Sequence, residues 1–285
     1  MKIGFIGVGV MGTYMVRNLK NKGFNVEIYA RNQSKVQALI DEGIVFHDSI
    51  KSLVKTSDVV ITIVGFPSDV KEVYFDEDKI INNVRPKTIL IDMTTSSPTL
   101  AKEIYDKASN QGLFALDCPV TGGDLGAKNG TLTIFAGGDK DIYERVEPIL
   151  KAMGTTIAYV GEAGAGQHAK LANQIAIAGA ISAVSEIIAY ANANGLDAKA
   201  LVEVWASGSA GSWQLKNMAP RALNGDMQPG FYIKHFIKDM NLIIEESENK
   251  GLSLQMLTTV RDMFQEMANK GYGDLGTQAI VDYYK

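Results

Sequence analysis

The chain has 285 residues, room for two domains or one large one. Hydrophobic residues make up 46% of it, enough for a sizeable core, and a net charge of −4 with no block of lysine or arginine argues against a nucleic-acid partner. The single cysteine, Cys118, excludes an intramolecular disulfide and suits a reducing cytoplasm.

Met1 leads at once into an apolar run over residues 3–6, which reads as a buried strand and leaves no room for a signal peptide. Gly7, Gly9 and Gly12 follow in G-x-G-x-x-G spacing and open a helical pattern with Met11, Met15, Val16 and Leu19 on one side. Gly23 ends it, and a second strand covers 25–30. In this strand–turn–helix–strand setting each glycine has its own task. Gly7 turns the chain out of the strand, Gly9 lets a pyrophosphate reach the backbone, and Gly12 lets helix and strand pack closely. The helix start adds N–H groups and partial positive charge. Residues Gly7, Val8, Gly9, Val10, Met11 and Gly12 are thus the candidate cradle of a dinucleotide. An acid at the end of the second strand would hold the ribose 2′-hydroxyl of NAD; here Arg31 and Asn32 stand there without a carboxylate. A guanidinium grips a 2′-phosphate, so the pattern favours NADP, with NAD as the alternative.

Ser34 is expected to cap a helix to about Glu42, followed by a short strand over 43–46 and a short helix over 49–55. A strong strand over 58–64 ends at Gly65 and Pro67, with Ser68 starting a helix. The strand over 88–91 ends in Thr94 and Thr95, and Pro98 fits the first turn of a helix to Asn110. Another strand covers 113–116. Strands alternating with helices predict a parallel sheet covered on both faces, with ligands beyond the carboxyl ends of the strands. The loops at Gly7–Gly12, Gly65–Ser68 and Thr94–Pro98 therefore converge, and Thr95 is the hydroxyl best placed for cofactor, unless it serves as a helix cap.

Thr121, Gly122 and Gly123 follow a strand and precede a short helix; a hydroxyl with backbone N–H groups suits a carboxylate, although two glycines also make a plain turn. A strand over 131–136, a helix to about 152 capped by Asp139, and a strand over 155–159 complete the first part. Beyond the glycine-rich residues 161–166 only helical periods remain. The apolar stretch 175–193 contains Ser182, Ser185, Glu186 and Asn192 and reads as a buried alanine-rich helix rather than a transmembrane span. Asp197 is expected to cap a helix to about 205, and further helices cover 233–249 and 253–270.

Lys170 sits one turn into the long helix, with Asn173 and Gln174 sharing its face. A desolvated lysine can exchange a proton near neutral pH; spacing alone equally allows a lysine reaching solvent. His168 lies on another face and reads as structural, and Cys118 lacks the partners of a nucleophile. Lys238 and Asp239 read either as a cofactor contact or as a surface pair. Trp213, Phe231 and Tyr232 are candidates for the substrate end, against ordinary aromatic packing. No metal site is expected.

Residues 4–12, Asp92 to Thr95, 117–123, 164–173 and Lys238-Asp239, in this order, resemble the β-hydroxyacid dehydrogenases, which include 3-hydroxyisobutyrate dehydrogenase, tartronate semialdehyde reductase and the succinic and glyoxylic semialdehyde reductases. The resemblance covers essentially the whole chain. It implies a Rossmann-type α/β N-terminal domain over 1–162 and an all-α C-terminal domain over 163–285, joined by a long helix and forming a homodimer or homotetramer. It implies hydride transfer between NADP(H) and a small β-hydroxy acid or its semialdehyde; charge, cysteine count and helix composition point to a cytoplasmic protein with no nucleic-acid or membrane partner. Lys170 would be the acid/base, Thr121, Gly122 and Gly123 would hold the substrate carboxylate, and Asn173 would assist. Thr95 and Lys238 would touch cofactor. Thr121 stands where the family usually has serine, and Gln174 where some members have asparagine. Two other readings are an imine reductase, against which Lys170 argues, and a non-catalytic NADP-binding redox sensor. A 6-phosphogluconate dehydrogenase would need a longer helical domain.

Overall fold

Nine strands form one sheet in the order β3-β2-β1-β4-β5-β6-β8-β7, with β9 on β8. They are β1 (Lys2–Ile6), β2 (Asn25–Tyr29), β3 (Val45–Phe46), β4 (Val59–Thr62), β5 (Ile89–Asp92), β6 (Phe114–Asp117), β7 (Val120–Thr121), β8 (Leu132–Gly138) and β9 (Gly154–Gly161). The computed structural model describes residues Met1 to Lys285 and divides into two compact units, Met1–Lys170 and Leu171–Lys285. The first turn of the long helix, through Lys170, is bonded to the strand ends of the sheet and counts with the first unit.

In the first unit, α1 (Val10–Asn21), α2 (Gln37–Asp41), α3 (Ile50–Val54), α4 (Pro67–Phe75), α5 (Pro98–Ser109), α6 (Gly123–Asn129) and α7 (Lys140–Leu150) alternate with the strands. Residue alternation sends side chains to opposite faces. Ile3, Phe5, Val59, Ile61, Ile89 and Ile91 join one core layer, while Ile6, Val60 and Leu90 join the other. Both faces are covered, as an α/β sheet requires.

The sheet is not wholly parallel. The neighbours from β3 to β6 run parallel, but β8 is antiparallel to β6 and β7 and parallel to β9. A parallel crossover needs about a dozen residues or more, and the link through α6 is shorter. Apolar periodicity reports burial, not direction, so the reversal could not be read from it. Two expected helix starts also move, and a third keeps its place without the expected side-chain cap. Asn32, not Ser34, caps the turn before α2, accepting the Ser34 N–H at 3.0 Å. Pro67 opens α4, and Asp69 accepts the Phe66 N–H at 3.0 Å. Asp139 precedes α7 without a side-chain bond to that helix; its carboxylate accepts the Tyr105 hydroxyl at 2.7 Å.

The long helix α8 (Ala165–Ala193) runs from the first unit into the second, where α9 (Ala198–Ser207), α10 (Trp213–Asn217), α11 (Ala219–Leu223), α12 (Ile233–Glu248) and α13 (Gln255–Asn269) follow. Asp197 caps α9 by accepting the Ala200 N–H. Phe236, Met240, Leu257 and Phe264 centre the main helical core. By length and composition α8 is apolar enough to cross a membrane, and 39% of its most apolar window is buried, short of the all-round burial its alanine content suggests.

Candidate active site

The first turn after β1 separates the three glycines by geometry. Gly7 has φ +96°, and a Cβ there would lie 2.0 Å from the Ile63 carbonyl oxygen. A Cβ on Gly12 would lie 2.2 Å from the Gly7 carbonyl oxygen, so α1 rests directly on the turn. A Cβ on Gly9 would meet nothing within 4 Å. Gly9 is the N-cap of α1 and no side chain closes that helix start. An open space over backbone at a helix start is the form a pyrophosphate cradle takes. Val8 and Met11 are half-buried and Val10 is exposed around it.

Arg31 is exposed, and its guanidinium lies 3.5 Å from Asp69 Oδ1. The carboxylate missing from the end of β2 is thus brought alongside by α4, while its Oδ2 accepts the Phe66 N–H. Asn32 Oδ1 accepts both the N–H and the hydroxyl of Ser34. Gly65 and Pro67 are half-buried in the same loop.

The loop after β5 is held by buried bonds. Asp92 Oδ1 accepts the Thr62 hydroxyl at 2.9 Å and the Thr94 N–H at 3.1 Å. Because Thr62 donates to Asp92, the Tyr74 hydroxyl, 3.0 Å away, donates to Thr62. Burial, followed by the charge of Asp92, pushes the Tyr74 hydroxyl well above its ordinary range, so it stays a donor. Thr94 accepts the Val64 N–H through its hydroxyl, a structural bond rather than a ligand contact. Ser97 caps α5, accepting the Thr99 and Leu100 N–H groups, which relieves Thr95 of that role. Thr95 is half-buried.

Asp117, at the end of β6, anchors α8. Its Oδ1 accepts the Gly164 N–H and its Oδ2 the Gln167 N–H, both at 2.8 Å. The Gln167 side chain accepts the Ser96 N–H and donates to the Thr94 carbonyl, again both at 2.8 Å. Three residues on, Lys170 is buried, with 5% of its surface exposed, which removes the solvent-reaching alternative. Thr121 is half-buried at the end of β7, and Gly122 and Gly123 adopt φ +126° and +63°. His168 is exposed; Cys118 is fully buried, and burial pushes its thiol up, away from the reactive thiolate.

In the second unit, Asn173 donates to Gln174 Oε1 at 2.9 Å, and Gln174 donates to Asp239 Oδ2 at 2.7 Å. Lys238 Nζ lies 2.9 Å from Asp239 Oδ1. Lys238 is therefore part of a buried network, not a surface pair, and the 1%-exposed Asp239 is its centre. Phe231 packs edge-on against Phe236, and Trp213 is half exposed; neither joins this network. No group of three or more His, Cys, Asp or Glu side chains is placed to hold a metal ion.

A protein-family model described as the NAD binding domain of 6-phosphogluconate dehydrogenase matches residues 2–161. A second, described as the NAD-binding domain of NADP-dependent 3-hydroxyisobutyrate dehydrogenase, matches 164–284. An uncharacterised oxidoreductase of Bacillus subtilis is 48% identical, over 98% of this chain and 96% of its own length. The chain belongs to the β-hydroxyacid dehydrogenase family. A probable 3-hydroxyisobutyrate dehydrogenase-like protein of Arabidopsis thaliana is 44% identical over 98% of this chain and 84% of its own. Among solved structures, a Mycobacterium tuberculosis 3-hydroxyisobutyrate dehydrogenase with L-serine superposes with a TM-score of 0.88 at 30% identity, covering 99% of this chain and 98% of that one.

For this β-hydroxyacid dehydrogenase, the residues to which motif reading gave no role are the buried acids and amide within the motifs: Asp92, Asp117 and Gln167. Burial pushes the Asp117 carboxyl up to about 6, against the two N–H donors that favour its charge. A pKa raised on folding means that protonation favours the folded state. The contribution is fully present below the ordinary carboxylate range, near 3.8, and is lost as pH rises through about 6. Asp117→Asn removes this titration. The stability of wild type relative to Asp117→Asn is therefore expected to fall by about 2 kcal/mol between pH 4 and 7. Chemical denaturation of both proteins at the two pH values measures it; an unchanged difference rejects the assignment.

Proposed function

We propose that the chain is an NADP(H)-dependent dehydrogenase, or reductase in the reverse direction, of a small β-hydroxy acid or its semialdehyde. The observation that carries the reading is the buried Lys170, one turn beyond a helix start bonded to the carboxyl ends of the sheet strands. That is the side on which α/β sheets take ligands.

The open backbone at Gly9 fits a dinucleotide pyrophosphate. Gly7, Val8, Gly9, Val10, Met11 and Gly12 would hold it, with Arg31 and Asn32 toward the adenosine ribose and Gly65, Pro67, Thr95 and Lys238 along the remainder. When bound, the nicotinamide supplies the hydride acceptor or donor. The Thr121 hydroxyl and the Gly122 and Gly123 N–H groups bind the substrate carboxylate, and the Thr121 methyl narrows the space beside it. Lys170 Nζ takes the proton from the substrate β-hydroxyl in oxidation and returns it to the carbonyl oxygen in reduction. Asn173 and Gln174 orient the substrate, and their amides are fixed through Asp239. A cytoplasmic homodimer or homotetramer fits this reading, supported by exposed Tyr190 and Val204 in the helical unit; a monomeric mass by light scattering rejects the assembly.

The test is a turnover screen of glyoxylate, succinic semialdehyde, tartronate semialdehyde, 3-hydroxyisobutyrate and L-serine with both cofactors. Turnover of at least one acid, faster with the phosphorylated cofactor, is expected. Binding of NADPH without turnover of any rejects the enzyme reading in favour of a sensor. Arg31→Ala is expected to weaken NADPH about 10- to 100-fold, the loss of a charge-assisted phosphate contact. NADH should change by less than about threefold. Equal losses for both cofactors, measured by titration, would remove Arg31 from the 2′-phosphate.

A further inference from the structure

We infer that Gln167 is a positioning residue for the Lys170 amine, with Asp117 as its support. This rests on the proposed role of Lys170 and concerns how that amine is held. Gln167 is fully buried, and its side chain grips the backbone on both sides of Thr95, donating to the Thr94 carbonyl and accepting the Ser96 N–H, each at 2.8 Å. Its own N–H donates to Asp117 Oδ2. The residue is thus fixed at three points, two on the loop after β5 and one on the end of β6.

The surroundings leave no slack. A Cβ on Gly166 would lie 2.3 Å from the Asp117 carbonyl oxygen and 2.6 Å from that of Phe135. A Cβ on Gly137 would lie 2.6 Å from both Asp117 Oδ1 and the Gly166 nitrogen. The start of α8 is pressed into the strand ends, and only glycine permits it. Lys170 follows one helical turn beyond Gln167, on the neighbouring part of the same face. A shift at Gln167 is therefore passed along the helix to Lys170 and its Nζ. Only a side chain with one donor and one acceptor serves both backbone partners: a carboxylate lacks the donor and a thioether lacks both strong groups. Misplacing a reacting group by about 1 Å costs on the order of a hundredfold in rate. The Thr95 loop keeps its anchors at Asp92, the Thr94 hydroxyl and Ser97, so cofactor affinity is retained and the loss, passed through Lys170, belongs in kcat.

The experiment compares Gln167→Glu, Gln167→Met and Lys170→Ala in the full-length enzyme, using the best substrate from the screen. At pH 8 both Gln167 variants are expected to lose about 10- to 100-fold in kcat. NADPH affinity, followed by fluorescence, should stay within about twofold. As the pH falls, the introduced glutamate protonates and its O–H donates to the Thr94 carbonyl, so the ratio of Gln167→Glu to wild-type kcat climbs toward one. Gln167→Met shows no such recovery, and in the cofactor-free protein its amides over 164–170 exchange faster than wild type. A residue that merely keeps the protein folded would give a flat ratio in Gln167→Glu, and that result overturns the inference. So does wild-type kcat in both variants at pH 8 while Lys170→Ala is inactive. Full turnover in Lys170→Ala instead rejects the acid/base role itself. Should Gln167→Met fail to fold, the pH dependence of the isosteric Gln167→Glu decides alone.

Discussion

Replacing Lys170 with alanine is expected to lower kcat by about 10²- to 10⁴-fold, the usual contribution of a positioned acid/base, while NADPH still binds. The reaction moves a proton at the β-oxygen whenever hydride moves at the carbon. In the proposed reading a buried amine at that oxygen keeps the proton off bulk water, and Lys170 is only 5% exposed. Two further substitutions separate the proton from the packing. Lys170→Met keeps the length and apolar stem, so any cavity effect of alanine disappears in it and the loss of turnover remains. Lys170→Arg keeps the charge but cannot release a proton in the working pH range, so it is expected to bind both ligands and turn over as poorly as the methionine variant. Steady-state kinetics with a cofactor titration distinguishes the cases. Substantial turnover in Lys170→Met, with intact folding, would falsify the assignment and return proton transfer to solvent or another group.

The parts of this architecture that repeat locally are legible in the sequence itself. Alternation of Ile3, Phe5 and Ile6, and of Val59, Val60 and Ile61, reported two buried faces, and the glycine spacing reported the turn between β1 and α1. What escaped were contacts between distant residues. The Gln167 amide meets the Thr94 carbonyl across 73 positions and Asp117 meets the Gln167 N–H across 50, and no local pattern marks either acid or amide as an anchor. Asp69 reaches Arg31 only because α4 packs beside the end of β2, so the tip that looked free of carboxylate is not. Asp239 looked like half of a surface pair until burial and the bond to Gln174 made it the centre of a network. Family motifs named the groups expected to touch ligand. The groups that hold them in place, Asp92, Asp117, Gln167 and Asp239, lie within those same motifs, but a motif shows which residues recur and not which distant partner each one bonds.

Substituting alanine at Gly7, Gly9 and Gly12 one at a time should give two different phenotypes, and the difference tests the cradle directly. At Gly7 the new Cβ would sit 2.0 Å from the Ile63 carbonyl oxygen in a backbone with φ +96°, and at Gly12 it would sit 2.2 Å from the Gly7 carbonyl oxygen. Both distances are far inside contact range and both partners are backbone, so the strand end or α1 must move. A destabilisation of about 3–5 kcal/mol is expected for each, seen as a lowered melting temperature with or without cofactor. At Gly9 the backbone is extended, with φ −90° and ψ −154°, and the Cβ would enter open space. Gly9→Ala should therefore fold with a stability change of about 1 kcal/mol or less, the scale of an N-cap change. It should nevertheless lose about a hundredfold or more in NADPH affinity, because the added methyl occupies the approach of the pyrophosphate to the N–H groups. Thermal melts separate the first two variants from the third, and cofactor titration separates the third from wild type. If Gly9→Ala binds NADPH as tightly as wild type does, the open backbone over α1 is not where the cofactor phosphates lie, and Arg31 and Thr95 lose the frame that assigns them to the same ligand.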